Sequence, residues 1–576
     1  MDVKLTAVCR TIGLLLLAWG AVGMAATPDE FIQDARHYLQ KGDYRAAVIQ
    51  LKNALQQNPK DARARFLLGK TELKLGDPAS AQKEFQHALR LGMDKDKVNV
   101  LLGKAYLMLG QPRKVLDEVE AGPKSSAAVQ ATVLALKGQA YLAMQQKGKA
   151  GSSFEQALKI DPKSVDALLG SARMDLMDGK VKSAGRLVSQ AIAIDDQNAD
   201  AWLIQGDVHR LESKLDKAES DFDRAIKIEP GSLLAHLERA AVYISLKKFD
   251  KAKSDINRVL KVQDNNPLAN YMRAVIAYQH KDLSTAQDAL AQVQRVAPNY
   301  TPSYLLMGAI HYRQGQLEQA ESDLSQYITD VPQHLPARKL LAATYIKLHR
   351  PEDAIRVLKA AKGPADKDPQ LMSLLGSAYM QKGDAVQGTK YLENAVKLAP
   401  DQAAIRTQLA LSQLAAGDTQ HAIGELQSAV NLGQGLFQAD MLLVLAHLQQ
   451  GEYDKALTAA RHLAKKLPKS PVPQNLIGAA YLGKKDIANA RKYFRKAIKL
   501  KPEFSIAEMN LARLDIKGGH LEDAEKHYKH ILSYDKGNAD ALLGLAGMAG
   551  RKGDSNAALQ WLEQANSKNP NAVKPA

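Results

Sequence analysis

Apolar residues recur along the chain at helical spacing, in short runs separated by brief polar breaks. The first run opens at Pro28 and sets Phe31, Ile32, Ala35, Tyr38 and Leu39 on one face, the spacing of an amphipathic helix. Gly42-Asp43 interrupts it, residues 46–55 form a second amphipathic run, and Asn58-Pro59 ends that run. The break returns as Gly76-Asp77, Gly110-Gln111, Gly315-Gln316, Gly383-Asp384, Gly417-Asp418 and Gly451-Glu452. No stretch alternates with period two, so essentially no sheet is expected. The pattern predicts antiparallel helix pairs, one after another.

The pairs keep a fixed register. Proline recurs at Pro162, Pro230, Pro298, Pro332, Pro400, Pro468, Pro502 and Pro570, and every gap is 34 or twice 34 residues. A small residue stands at Ala35, Gly69, Gly103 and Gly138 and continues at that spacing to Ala546, with Val444 the exception. A second small column, Ala47, Ala81, Ala150 and onward to Ala558, is broken only by Val115 and Gly388. Two columns in one register define an internal repeat. Sixteen units tile the chain from near Pro28 to about Ala572. A glycine or alanine on each helix lets the two helices of a unit approach closely, where a larger side chain would hold them apart.

This pattern resembles the tetratricopeptide repeat. One unit carries Trp202, Leu203, Gly206 and Ala218, and another carries Gly478, Tyr481, Ala490, Phe494, Ala497 and Pro502. The resemblance implies an all-α, right-handed superhelical solenoid of about 16 tandem helix pairs with a concave groove. Each unit touches only its neighbours, so stability is a sum over interfaces. Two irregular joints divide the array. One falls at 121–130, around Gly122-Pro123, and the other at 362–369, reading KGPADKDP. They separate repeats 1–3 (27–121), 4–10 (122–362) and 11–16 (363–572) from one another, leave a tail at 573–576, and are candidate hinges.

The N-terminus is of another kind. Lys4 and Arg10 precede an apolar run, 12–22, followed by Gly23, Ala25 and Ala26. Residues 1–26 read as a secretory signal peptide, with an uncleaved anchor as the alternative. The run is shorter than the ~20 residues that span a bilayer, which favours cleavage. Cys9, the only cysteine, lies before that run, so a lipoprotein is not expected. The mature chain then has no disulfide and no transmembrane segment, and is expected in the periplasm of a Gram-negative envelope.

Charge narrows the partners. The 576 residues carry a formal net charge of +16, or +15 once Asp2, Lys4 and Arg10 leave with the signal. Outside the cytoplasm this points to acidic polysaccharide, phospholipid headgroups or acidic proteins, and away from nucleic acid. The first helices of repeats two and three carry Arg63, Lys70, Lys74, Lys97 and Lys104 at positions that line the groove in the resembled fold. A second cluster, Arg491, Lys492, Arg495, Lys496, Lys499 and Lys501, falls on a second helix, on the convex side. Both read as solvated faces, and the first also as an anion-binding entrance to the groove. Around repeats eight and nine, groove positions turn aromatic: Tyr271, Tyr278 and Tyr312, with Tyr300, Tyr304 and Arg313 nearby. Ordinary inter-helix packing and anchoring of a peptide or sugar are both open there.

No motif calls for catalysis, a cofactor or a metal. There is no HExxH, no cysteine pair and no supported Ser-His-Asp set. Gly433-Gln434-Gly435 has no preceding strand and is not a nucleotide loop. His527 and His530, at i and i+3, read as surface histidines lacking a third ligand.

A narrower resemblance rests on residues 34–119, with the phrases AAVIQLKNAL, ARFLLGK, LGD and KVLDEV. They are similar to the start of the tetratricopeptide protein of the PEP-CTERM/exosortase exopolysaccharide system. That resemblance implies an envelope protein associated with exopolysaccharide production and surface-protein sorting. The chain is therefore expected to be a non-catalytic periplasmic scaffold that binds protein partners in exopolysaccharide assembly or export. Direct binding of an acidic polysaccharide in the basic N-terminal groove, and assembly of secreted or outer-membrane proteins, are the alternatives. At the C-terminal end Trp561 and Leu562 form an expected docking surface, because no polar capping helix follows them.

Overall fold

The computed structural model describes residues 27–361, 367–433, 435 and 437–568. Among them are thirty-two helices and no strand, from α1 (Pro28–Gln40) to α32 (Ser555–Lys568). Odd-numbered helices are the first, and even-numbered helices the second, of sixteen repeats, so the all-α repeat architecture expected from the sequence is the one formed. The signal segment 1–26, the linker 362–366, Gln434 and the tail at 573–576 lie outside the described residues. The helices group into two compact units, one ending at His280 and the other beginning at Lys281. Within each, hairpin packs on hairpin in chain order.

Each hairpin turns through one left-handed residue. Ten repeats use glycine there, as at Gly42 (φ 75°), Gly315 (φ 78°) and Gly451 (φ 72°). The other six use Gln145, Ser213, Lys247, Lys281, His349 and Lys485, with φ between 56° and 64°. A left-handed residue reverses the chain at minimal length, and glycine does so without a Cβ clash. An aspartate often follows and caps the second helix. Asp43 accepts from Ala46 N at 3.0 Å, and Asp384 from Gln387 N at 3.1 Å.

The turn between repeats has its own latch. A side chain on the first helix reaches back six residues to the carbonyl at the preceding turn. Arg406 Nε donates to Pro400 O at 2.7 Å, Arg338 Nε to Pro332 O at 2.6 Å, Tyr304 Oη to Pro298 O at 3.0 Å and Trp202 Nε1 to Asp196 O at 2.8 Å. The last case has no proline, so the latch belongs to the turn geometry and proline only reinforces it.

Core volumes are matched across many of the hairpins. Where the first small column is glycine, an aromatic or leucine sixteen residues later fills the space, except at Gly103, where Val119 does so together with Leu136. A Cβ on Gly69, Gly206 or Gly478 would stand 2.5–2.8 Å from the ring of Phe85, Phe222 or Phe494. Where the column is alanine, as at Ala172, Ala240 and Ala410, the partner is Val188, Ile256 or Leu426. At Val444, the one exception, the corresponding residue is Ala460, and both are fully buried in one core. Volume lost on one helix is supplied by the other, as close packing requires.

The joint at 121–130 lies within the first unit. There α6 (Pro112–Glu118) is only seven residues long and α7 (Ala127–Ala143) extends to seventeen. Asp96, on α5 (Lys95–Met108), holds the segment between them. Its Oδ1 accepts from Gly122 N at 3.1 Å and from Ser125 Oγ at 2.7 Å, while Asn99 Nδ2 donates to Glu120 O at 3.0 Å.

Candidate functional site

A second pair of positions, twelve residues apart in sequence, meets across several hairpins. Its chemistry varies by repeat. Tyr106 donates to Glu118, His209 Nδ1 lies 2.5 Å from Asp221 Oδ2, and His311 Nδ1 lies 2.7 Å from Asp323 Oδ2. Burial raises both aspartates, against the pull of the neighbouring histidines. Tyr379 stacks on Tyr391 with centroids 5.4 Å apart, and Tyr481 on Tyr493 at 5.5 Å. In the second repeat the pair is Glu72 and Glu84, and burial with repulsion from Glu84 pushes Glu72 up to about 7.

The thirteenth repeat leaves this pair open. His447 on α25 (Phe437–Gln449) faces Ala459 on α26 (Tyr453–Lys466), and alanine cannot reach across. His447 instead bonds Glu452, Nδ1 to Oε2 at 2.6 Å. On the preceding second helix, α24 (Thr419–Asn431), Gly424 has nothing within 4 Å of where its Cβ would be. These two truncations open a cleft of about 820 Å³ between α24 and α26, with α25 as its floor.

The cleft has distinct walls. Ile423, Gln427 and Val430 line one side, Lys455, Thr458 and His462 the other, and Asp440, Leu443 and His447 the floor. Asp440 is 3% exposed and is held by Lys466 Nζ at 2.8 Å and His462 Nδ1 at 3.3 Å. An apolar cavity with a few convergent polar groups, within the roughly 300–1,000 Å³ range of ligand clefts, is a binding site in form. The sequence reading did not reach it. Its signal was glycine at 424 together with alanine at 459.

The residues singled out from sequence are placed as follows. Arg63, on α3 (Ala62–Lys74), is exposed but lies 3.2 Å from Asp29 and 3.6 Å from Asp61. Lys104 is half-buried on α5, 3.5 Å from Asp166 on α9 (Val165–Met177). Lys70, Lys74 and Lys97 are exposed on α3 and α5. Two of the five charges are thus answered by carboxylates the sequence reading did not weigh. Tyr271 and Tyr278 are half-buried on α15 (Pro267–Gln279), in the first unit. Tyr312, in the second unit, is half-buried on α17 (Pro302–Gln314) under Lys347 Nζ, 4.3 Å from its ring centroid.

Trp561 packs against the last core, while Leu562 is 41% exposed on α32. His527 and His530 are not simply surface histidines. Both bond the buried Glu508, at 2.7 and 2.9 Å. No group of three or more His, Cys, Asp or Glu among the described residues is arranged to hold a metal ion, and no described helix is long and apolar enough to cross a membrane.

Comparison with known families meets the same period. Tetratricopeptide repeat profiles match residues 33–96, 178–232, 237–301, 373–436 and 509–573, with further matches at 312–378 and at 131–164 and 474–504. The chain belongs to the tetratricopeptide repeat family. As a tetratricopeptide repeat protein it has the build of a protein-interaction scaffold, and scaffolds of this family are generally non-catalytic. No curated protein matches this repeat chain in sequence. Solved structures similar to it include the APC/C hetero-tetramer Cut9-Hcn1, 17% identical over 87% of this chain and 96% of that one, with a TM-score of 0.34. A tetratricopeptide repeat protein from Parabacteroides merdae is 16% identical over 43% of this chain and 98% of its own, with a TM-score of 0.32. Yeast Tom70 is 16% identical over 77% and 99%, with a TM-score of 0.30.

Proposed function

We propose that this tetratricopeptide repeat protein is a non-catalytic scaffold of the bacterial cell envelope that holds protein partners in exopolysaccharide assembly or export. The envelope assignment is supported by the signal-like segment 1–26, and the exopolysaccharide assignment by the resemblance over residues 34–119. The observation that carries partner binding is the cleft over α25, where Ala459 and Gly424 leave His447 and Asp440 at the bottom of a space no side chain of the repeat fills. Ile423 and Val430 on one wall suit an aliphatic or aromatic anchor from a partner, and the charged floor fixes the polar end of that anchor.

Thr458→Trp fills the cleft from an exposed position on its wall. A photo-crosslinker at Gln427 in living cells should capture envelope proteins, and the same crosslinks should disappear in Thr458→Trp. An unchanged partner set in that variant would remove the cleft from the proposal. Capture of proteins unrelated to polysaccharide synthesis or export would remove the pathway assignment.

A further inference from the structure

Between Arg461 and Lys501 the chain carries twelve lysines and arginines against one carboxylate, Asp486, a net +11 of the formal +16 of the whole sequence. Asp486 is committed to capping α28 (Ile487–Leu500), where it accepts from Asn489 N at 3.0 Å. Some of the twelve have a partner within the protein. Lys466 is held by Asp440, Lys484 by Asp454 at 2.5 Å, and Arg491 by Asp515. Arg461 Nη2 donates to the Tyr481 hydroxyl at 2.8 Å.

The remainder are arranged. Lys492, Arg495, Lys496 and Lys499 follow i, i+3, i+4 and i+7, so they form a single stripe along α28, and all four are exposed. Thirty-four residues earlier, Arg461 and Lys465 occupy the positions of Arg495 and Lys499 on α26, and both are exposed. Lys465, Lys492, Arg495 and Lys499 make no ion pair among the described residues. Both helices are the second helices of consecutive repeats, so the two stripes repeat in one register on the second-helix face of the array. The free charge stops at the next repeat. On α30 (Leu521–Tyr534), Lys526 and Lys529 are answered by Asp523 at 2.9 Å and Glu525 at 2.8 Å.

We propose that this face docks on the headgroups of an anionic phospholipid bilayer. The charges sit on protruding helix faces and not in the cleft over α25, which suits a flat partner more than a polymer threaded through a groove. Most of them are lysines, flexible point charges that follow headgroups moving in the plane of a bilayer. A fixed phosphate or carboxylate is matched better by the arginine fork. The aromatic platforms on which bases and sugars stack are also occupied, since Tyr481 and Tyr493 stack on each other. Each basic residue close to an anionic bilayer adds roughly fivefold to the partition constant, and the effect fades within a Debye length.

The test is cosedimentation of the full mature chain with vesicles of phosphatidylcholine, with and without phosphatidylglycerol. Binding should require phosphatidylglycerol, weaken steeply with salt, and fall by more than about a hundredfold when Lys492, Arg495, Lys496 and Lys499 are all changed to Glu. The same residues changed to Gln guard against misfolding and should also lose most binding. A charge-matched control, Arg63→Glu with Lys70→Glu, Lys74→Glu and Lys97→Glu, should retain it. Equal loss in that control would show that net charge alone acts and would overturn the proposal. So would equal vesicle binding by the α28 variants, or wild-type capture by a polyanion such as heparin with no vesicle binding. The Thr458→Trp cleft variant should bind vesicles normally, which separates this surface from the cleft.

Discussion

The ring of Phe494 lies so close over Gly478 that a Cβ added to the glycine would stand 2.6 Å from its Cδ1 and Cε1. Phe494 is fully buried and has nowhere to move. The two residues are sixteen apart and belong to the two helices of one repeat, so their sizes set how closely that hairpin closes.

Gly478→Ala should therefore destabilise its repeat by about 1–3 kcal/mol, the cost of overpacking a filled core. Adding Phe494→Leu should return much of that loss, because alanine over leucine is the combination found at Ala410 and Leu426. Urea unfolding of the two single variants and the double variant measures the coupling. Additive losses would show that the columns are not matched in volume. Gly547→Ala, on α31 (Ala539–Arg551), has nothing within 4 Å of the new Cβ and should stabilise by about 0.5–1 kcal/mol.

Glu72 and Glu84 give the second repeat a pH dependence. The folded state raises Glu72 from an ordinary carboxyl value to about 7, first by burial and then by the charge of Glu84. A raised carboxyl means the folded state holds the proton more tightly. Stability therefore falls as pH climbs from about 4.5 to about 7, and the full penalty persists above that. Glu72→Gln removes it. The variant should match wild type at pH 5 and exceed it at pH 8 by on the order of 1–2 kcal/mol, a figure discounted for the solvent that reaches the hairpin. Melting curves at the two pH values decide this, and a gain equal at both would rule out titration of Glu72 as the cause.

Asp255 is 3% exposed and serves two partners. His236 Nδ1 lies 2.7 Å from it, and Arg239 grips it with Nε at 2.8 Å and Nη2 at 2.6 Å. Asp255→Ala leaves a partly buried guanidinium without its carboxylate and should cost about 3–5 kcal/mol in denaturant unfolding. A loss below about 1 kcal/mol would mean that Asp223, 2.6 Å from Arg239 Nη1, holds the arginine unaided.

The left-handed slot predicts opposite signs for opposite exchanges. Gly315→Ala should cost about 1 kcal/mol, since alanine is strained at positive φ. Lys485→Gly, at φ 63°, should gain up to about 0.5 kcal/mol, the relieved strain less the entropy of a new glycine. Thermal melts of the pair test this, and a loss in both would mean that the Lys485 side chain stabilises its turn more than its backbone strains it.

The repeat was legible in the sequence because it is local. The spacing of small residues, the breaks after each first helix and the recurring proline are set by how one hairpin turns and closes, and they repeat with the chain. Even Val444 was visible as a departure, although its compensation by Ala460 is a relation between two helices. What only the tertiary structure decided are the pairings across repeats. Asp29 answers Arg63 and Asp166 answers Lys104, so the basic first-helix set is less free than its sequence suggests. The cleft over α25 needs two truncations on different helices, Gly424 and Ala459, facing the same space. The stripe on α28 gains meaning only when its neighbours fail to neutralise it. Periodicity along one chain fixes which residues face inward, but charge and volume balance depend on side chains that meet through space from different repeats, and that meeting is a property of the fold.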